Sequence, residues 1–189
     1  MTRRVYITGA AGTGVSSLGR ALAQRLHASH ADVDDSYWHD QAPLFSRKRS
    51  KADRLALIRA QMGSGGWVIS GALEGWGDAL LQQVDLIVFL MVPTPIRIDR
   101  IRRRERSEYG RRVLPGGDLC QAHEGLIRWA ARYDDPDFAG RNMYAQEQWL
   151  ADQVRPVLRL GGTLPVARLV QKVVAHKTIR RSDVSPTSA

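Results

Sequence analysis

Residues 4–16, RVYITGAAGTGVS, constrain this chain more than any other stretch. Val5 to Thr8 make a short β-branched run, and a glycine-rich turn follows. Leu18, Ala21, Leu22 and Leu26 then recur at helical spacing. Strand, glycine turn and helix in that order make a phosphate-binding loop, because glycines let backbone amides approach an anion at a helix N-terminus. Set against G-x-x-x-x-G-K-[ST], the residues are Gly9, Gly14, Val15 and Ser16, so a valine stands where the lysine belongs. Gly12, Gly14 and Ser17 break the dinucleotide pattern G-x-G-x-x-G. The amides of Thr13 to Ser17 are expected to face the anion, and the Ser16 hydroxyl occupies the Mg²⁺-ligand position. The alternative is a glycine turn with no ligand.

At 189 residues the chain is expected to be one domain with a sizeable core. No leader is expected at the N-terminus, and the longest apolar run, 86–93, is too short to span a bilayer. The single cysteine, Cys120, excludes an internal disulfide and a cysteine metal cluster. The expected location is cytoplasmic. The net charge of +9 rests on arginine, for the lysines are only Lys48, Lys51, Lys172 and Lys177. Arginine suits bidentate phosphate recognition. Nucleic-acid binding is unlike the rest of the pattern, because no aromatic-interleaved motif or zinc spacing accompanies the charge.

Strand patterns recur at 4–8, 30–33, 67–70, 85–91 and 156–160, with helical patterns between. One helix carries Leu55, Ile58 and Met62; another carries Ala122, Leu126, Trp129 and Tyr133. The last runs through Val166, Leu169, Val170, Val173 and Val174, with Thr163 as N-cap and Pro165 in the first turn. Apolar strands alternating with helices give an α/β fold, a parallel sheet with helices on both faces. Ligands in such sheets lie beyond the carboxyl ends of the strands. No internal repeat is visible, and the polar end from Lys177 is expected to be a disordered tail, 177–189.

That rule singles out further residues. Asp32, Asp34 and Asp35 follow the second strand, and alternation puts Asp32 and Asp34 on one face. Asp34 is the favoured carboxylate for Mg²⁺ or for the acceptor's proton; a solvated acidic turn is the alternative. In Ser70–Asp78, Gly71 leaves room for a ligand, Glu74 is a spare carboxylate and Trp76 offers a ring, as Trp38 does. A packing tryptophan in a glycine loop explains the same residues equally well. After the fourth strand Arg97, Arg100 and Arg104 share a stripe, with Arg111, Arg112 and later Arg141 beyond. Such density suits a closing lid that neutralises phosphate, or an exposed basic helix. The histidines show no metal spacing.

With ITGAAGTGVSSLGRALAQRL, VDDSYW, DLIVFLMVPTPIRIDRIRRR and PVLRLGGTLPVARLVQKVV in place, the chain resembles the adenylate-kinase-like group of small P-loop kinases over roughly residues 3–175. That group includes nucleoside monophosphate, shikimate and gluconate kinases and the topology-modulation proteins. The resemblance implies a three-layer α-β-α fold with a five-stranded parallel sheet in the order 2-3-1-4-5. It implies one domain, 1–176, with a helical lid at about 105–142, and ATP with Mg²⁺ as phosphoryl donor. Gly9, Ala10, Gly12, Thr13, Gly14, Val15, Ser16 and Ser17 would hold phosphates, Ser16 and Asp34 the metal, and Gly162 and Thr163 would lie near adenine. Asp34, Arg100, Arg104 and Arg141 would be the catalytic candidates. The acceptor, a nucleotide, nucleoside or other small metabolite, would meet Asp35, Trp38, Gly71, Glu74 and Trp76. The chain departs from the group at Val15. It also lacks an acidic residue at the end of its third or fourth strand, so Asp34, Asp35 or Glu74 would take that part. A phosphotransferase and a nucleotide binder without turnover both stay open.

Overall fold

The computed structural model describes residues 3–39 and 47–180. The strands are β1 (Arg4–Gly9), β2 (Ser29–Asp32), β3 (Trp67–Ser70), β4 (Leu86–Met91) and β5 (Val157–Gly161). They form one sheet in the order β2-β3-β1-β4-β5. The β1–β3, β1–β4 and β2–β3 pairs are parallel, with Ile7 opposite Ser70, Asp32 opposite Ser70 and Gly9 opposite Leu90. The expected topology is therefore met, with helices on both sides of the sheet. Leu86 to Leu90 are all almost fully buried, as an apolar run covered on both faces must be.

The chain folds as two compact units. The first holds Met1–Gly9, Gly14–Leu90 and Gln153–Ala189. Its helices are α1 (Val15–Leu26), α2 (Val33–Tyr37), α3 (Lys51–Met62), α4 (Asp78–Leu81), and, after β5, α8 (Val166–Ala175) and α9 (Lys177–Arg180). Its core joins Val5 and Ile7 of β1, Leu18 and Leu22 of α1, Val88 and Leu90 of β4, and Leu169 and Val173 of α8. The second unit holds Ala10–Thr13 and Met91–Asp152. It carries α5 (Thr94–Tyr109), α6 (Cys120–Ala131) and α7 (Met143–Ala151), with 3₁₀ turns at Gly110–Val113 and Arg132–Asp134. Its small core packs Ile101, Ile127 and Ala130 together with Ala11, Ile98 and Leu126. Among the described residues no helix is long and apolar enough to cross a membrane.

Three expectations need correction. The second strand ends at Asp32, and α2 begins at Val33. Asp32 is the N-cap, its carboxylate accepting the Asp34 N–H at 3.2 Å, so the alternation that paired Asp32 with Asp34 does not operate. Thr163 does not cap α8; Pro165 takes that position in extended conformation (φ −55°, ψ 142°). A residue before proline avoids helical angles, which keeps Leu164 and everything before it outside the helix. The tail expected from Lys177 begins instead with α9, whose Ile179 is buried in the first unit's core. Residues 181–189 of that tail lie outside the described residues.

Candidate functional site

In the first unit the site starts where α1 begins. Gly14 is its N-cap in left-handed conformation (φ 95°), and no side chain caps the helix. The first turn of an α-helix has no internal acceptors for its N–H groups. The Leu18 N–H is the first to close back, onto the Gly14 carbonyl at 3.0 Å. The N-terminus with Val15, Ser16 and Ser17 is thus a set of amides with positive dipole and no capping side chain. Val15 is half-buried and packs against the core.

Tyr6 and Thr8 of β1 organise the loop after β3. The buried Tyr6 hydroxyl donates to the Gly71 carbonyl at 2.9 Å and accepts the Leu73 N–H at 3.0 Å. The fully buried Thr8 hydroxyl donates to Glu74 Oε1 at 2.8 Å. Glu74 is therefore fixed near the carboxyl end of the central strand. Gly71 has φ 124°, and a Cβ there would lie 2.6 Å from Val33 Cβ, so its glycine answers to packing.

Beside this loop lies an aromatic cluster. Tyr37 meets Trp38 edge-on at 4.9 Å and Trp76 at 5.8 Å between centroids. The Arg54 guanidinium of α3 stands over both the Tyr37 ring (4.4 Å) and the Trp76 ring (4.6 Å). The Trp76 indole donates to the Ala72 carbonyl at 2.8 Å. Trp38 and Trp76, expected near an acceptor, do come together, through Tyr37. Asp34 and Asp35 sit on the exposed side of α2. The Asp35 carbonyl accepts from Arg49 at 3.2 Å. Gly162 and Thr163 lie in the turn between β5 and α8.

In the second unit the Thr13 N–H closes a turn onto the Ala10 carbonyl at 3.2 Å, and the Thr13 hydroxyl joins the same oxygen at 2.8 Å. The Thr13 amide, expected to face an anion, is engaged in this turn. Arg100 of α5 donates to the Thr13 carbonyl at 3.3 Å. Arg97 is almost completely buried and donates to the carbonyls of Val92 (3.1 Å), Ala11 (3.3 Å) and Ala130 (3.2 Å). Burial lowers its pKa from the usual arginine value, with Asp134 and Tyr133 opposing.

The other arginines of this unit divide by partner. Arg103 pairs with Asp99, Arg112 with Asp118 at 2.7 Å, and Arg132 with Asp135 at 2.9 Å. Arg104, half-exposed, donates to Glu105 Oε1 at 3.1 Å. Glu105 itself is buried and meets His123 Nδ1 at 3.2 Å. Arg141 immediately precedes Asn142, whose side chain caps α7 through the Ala145 N–H at 2.8 Å. Burial, with Glu108, pushes the Tyr109 phenol up to about 12.

Sequence reasoning missed Tyr6, Thr8, Arg54 and the buried state of Arg97 and Glu105. The inward face of β1 carried a signal for the first two. A helical arginine that folds inward looks like its exposed neighbours until α6 covers it. Among the described residues no three His, Cys, Asp or Glu side chains group to hold a metal. A cation here would need the Ser16 hydroxyl, one carboxylate and oxygens of a ligand.

Comparison with known proteins agrees with this fold. Residues 5–124 match the family model described as AAA domain. The chain is 38% identical over 177 residues to the Bacillus subtilis (strain 168) protein named Uncharacterized protein YqaC, covering 93% of this chain and 98% of that protein. The fold is similar to shikimate kinase from Acinetobacter baumannii in complex with shikimate (TM-score 0.58, 16% identity, 98% and 97% of the two chains). It is also similar to a gluconokinase from Sinorhizobium meliloti 1021 (TM-score 0.51, 18% identity, 95% and 93%). Deoxyadenosine kinase from M. mycoides with bound dCTP gives TM-score 0.51 at 15% identity, over 90% and 96%. With its strand–glycine-loop–helix opening a 2-3-1-4-5 sheet, the chain belongs to the AAA domain family and has the fold of the P-loop kinases.

Proposed function

We propose that this protein binds ATP with Mg²⁺ at the loop Gly9–Ser17 and transfers the terminal phosphoryl group to a small acceptor bearing a hydroxyl or phosphate. The observation that carries the reading is the uncapped N-terminus of α1 behind left-handed Gly14. A Cβ at Gly14 would meet nothing within 4 Å, so the chain is open on that side of the helix start. These residues fit a nucleotide phosphate, and Ser16 fits a Mg²⁺ ligand. Bound Mg²⁺ would draw charge from the phosphate oxygens during an in-line transfer. Glu74, held by Thr8, is the carboxylate best fixed to face that ion. Asp34 is left for the acceptor, beside Asp35, Trp38 and Trp76, and Arg54 favours an acceptor with negative charge or a flat ring. Gly162 and Thr163 are the candidates to meet the adenine. Arg100, Arg104 and Arg141 are the arginines proposed to supply the charge that Val15 lacks.

A second reading is nucleotide binding without turnover. Val15 favours it, since an aliphatic side chain packed on the core contributes no charge to a transferring phosphate. Calorimetric titration with a non-hydrolysable ATP analogue, with and without Mg²⁺, tests both. Binding strengthened by Mg²⁺ followed by ATP consumption with an acceptor supports transfer. Binding with no consumption on any acceptor class supports the second reading. No binding at millimolar analogue overturns both.

A further inference from the structure

We propose that Arg97 is a positioning residue for the phosphate loop, its buried guanidinium fixing the Ala11–Gly12 peptide and hence the direction of the Gly12 N–H. The inference rests on the reading that this loop holds phosphate. Arg97 is 1% exposed, the only arginine among the buried residues described. Its Nε donates to Val92 O at 3.1 Å, and Nη1 donates to Ala11 O at 3.3 Å and Ala130 O at 3.2 Å. Nη2 donates to the Thr94 hydroxyl and lies 3.5 Å from Asp134 Oδ1, while the guanidinium stands 5.0 Å over the Tyr133 ring. A buried guanidinium is costly to desolvate, and an apolar side chain would fill the space more cheaply. What an apolar side chain could not do is hold carbonyls of three separate segments at once.

The Ala11 contact matters for function because the peptide is planar and trans. The Ala11 C=O and the Gly12 N–H point in opposite directions, so an anchored carbonyl aims the amide away from Arg97. The backbone of Arg97 supplies a second restraint. A Cβ on Gly12 would lie 2.5 Å from the Arg97 carbonyl oxygen, and Gly12 has φ 82°. One residue of α5 thus sets Ala11 through its side chain and abuts Gly12 through its main chain. Ala11 also packs into the small core formed by Ile101, Ile127 and Ala130, so the guanidinium and the core hold the same dipeptide.

The test compares wild type, Arg97→Lys and Arg97→Met. Binding of inorganic tripolyphosphate and of the ATP analogue is measured by calorimetry, and backbone amide exchange is followed by mass spectrometry. Lysine keeps the charge but cannot reach all these carbonyls from one planar group. Tripolyphosphate affinity should fall about tenfold in R97M, the factor expected for losing one well-placed hydrogen bond, with partial rescue in R97K. Exchange across residues 11–14 should quicken by about the same factor while α8 stays as protected as in wild type. Should R97M fail to fold, R97K alone decides: unchanged exchange over 11–14 with wild-type affinity overturns the inference. Wild-type protein that binds neither probe defeats the phosphate reading instead. The exchange comparison then still judges whether Arg97 holds the loop.

Discussion

Thr8 and Glu74 are tied together at the end of the central strand: the fully buried Thr8 hydroxyl donates to Glu74 Oε1 at 2.8 Å. Glu74→Gln removes the charge and leaves a carbonyl that can still accept from Thr8. The variant should stay folded, and the gain in ATP-analogue affinity on adding Mg²⁺ should shrink about tenfold. Calorimetry at a series of Mg²⁺ concentrations checks this; an unchanged gain would remove Glu74 from the metal site.

Val15→Lys restores the usual residue at the first position of α1. Val15 is partly buried against the core, so the change should lower stability by roughly 1 kcal/mol. If the loop holds triphosphate, affinity for the ATP analogue should rise several-fold through the added charge. Equal affinities in the two proteins would mean that a guanidinium already fills that part, or that no phosphate reaches Val15. Repeating the substitution in an Arg100→Ala background separates the two.

Gly12 and Gly14 should respond unequally to alanine. Both have positive φ, 82° and 95°. At Gly12 the new Cβ would also lie 2.5 Å from the Arg97 carbonyl, whereas at Gly14 it would meet nothing within 4 Å. Gly14→Ala should cost about 1 kcal/mol of left-handed strain. Gly12→Ala should cost about twice that or more, because backbone must move aside. Thermal unfolding should show the ordering as a drop of roughly 2–4 °C for each kcal/mol.

His30 carries a pH signature. Burial lowers its pKa, against the raising effect of Asp32, and Nε2 lies 3.0 Å from the Ser70 hydroxyl. The folded state therefore prefers the neutral ring. As pH falls through about 6.5 the unfolded chain takes up the proton first, so stability declines from there down to the lowered folded value. In His30→Gln this part of the slope should vanish. Denaturant unfolding at steps between pH 7.5 and pH 5 measures it; parallel curves for the two proteins would show that His30 contributes none.

Local chemistry made much of this molecule legible before its fold. Periodicity marked all five strands, since a doubly buried strand must be apolar on both faces, and β4 is. The loop was legible because glycines at fixed spacing ahead of an amphipathic helix have few other uses, and Gly12 and Gly14 do adopt positive φ. The shared face expected for Asp32 and Asp34 was misread because one hydrogen bond, from the Asp34 N–H to the Asp32 carboxylate, turns the chain into α2 at Val33. Thr163 was misread because Pro165 decides where α8 starts.

The arginines mark the boundary between the two kinds of information. By itself the sequence determined the strand–loop–helix opening, the parallel α/β class and the density of positive charge after β4, since each follows from residue type and spacing along the chain. Only the tertiary structure decided that Arg97 is buried on the Ala11 and Ala130 carbonyls and that Arg100 reaches Thr13. The same holds for Glu74, which gains its place from Thr8, a residue 66 positions away. A charged side chain's energy depends on which acceptors surround it and how much water is excluded, and both are set by segments distant in sequence.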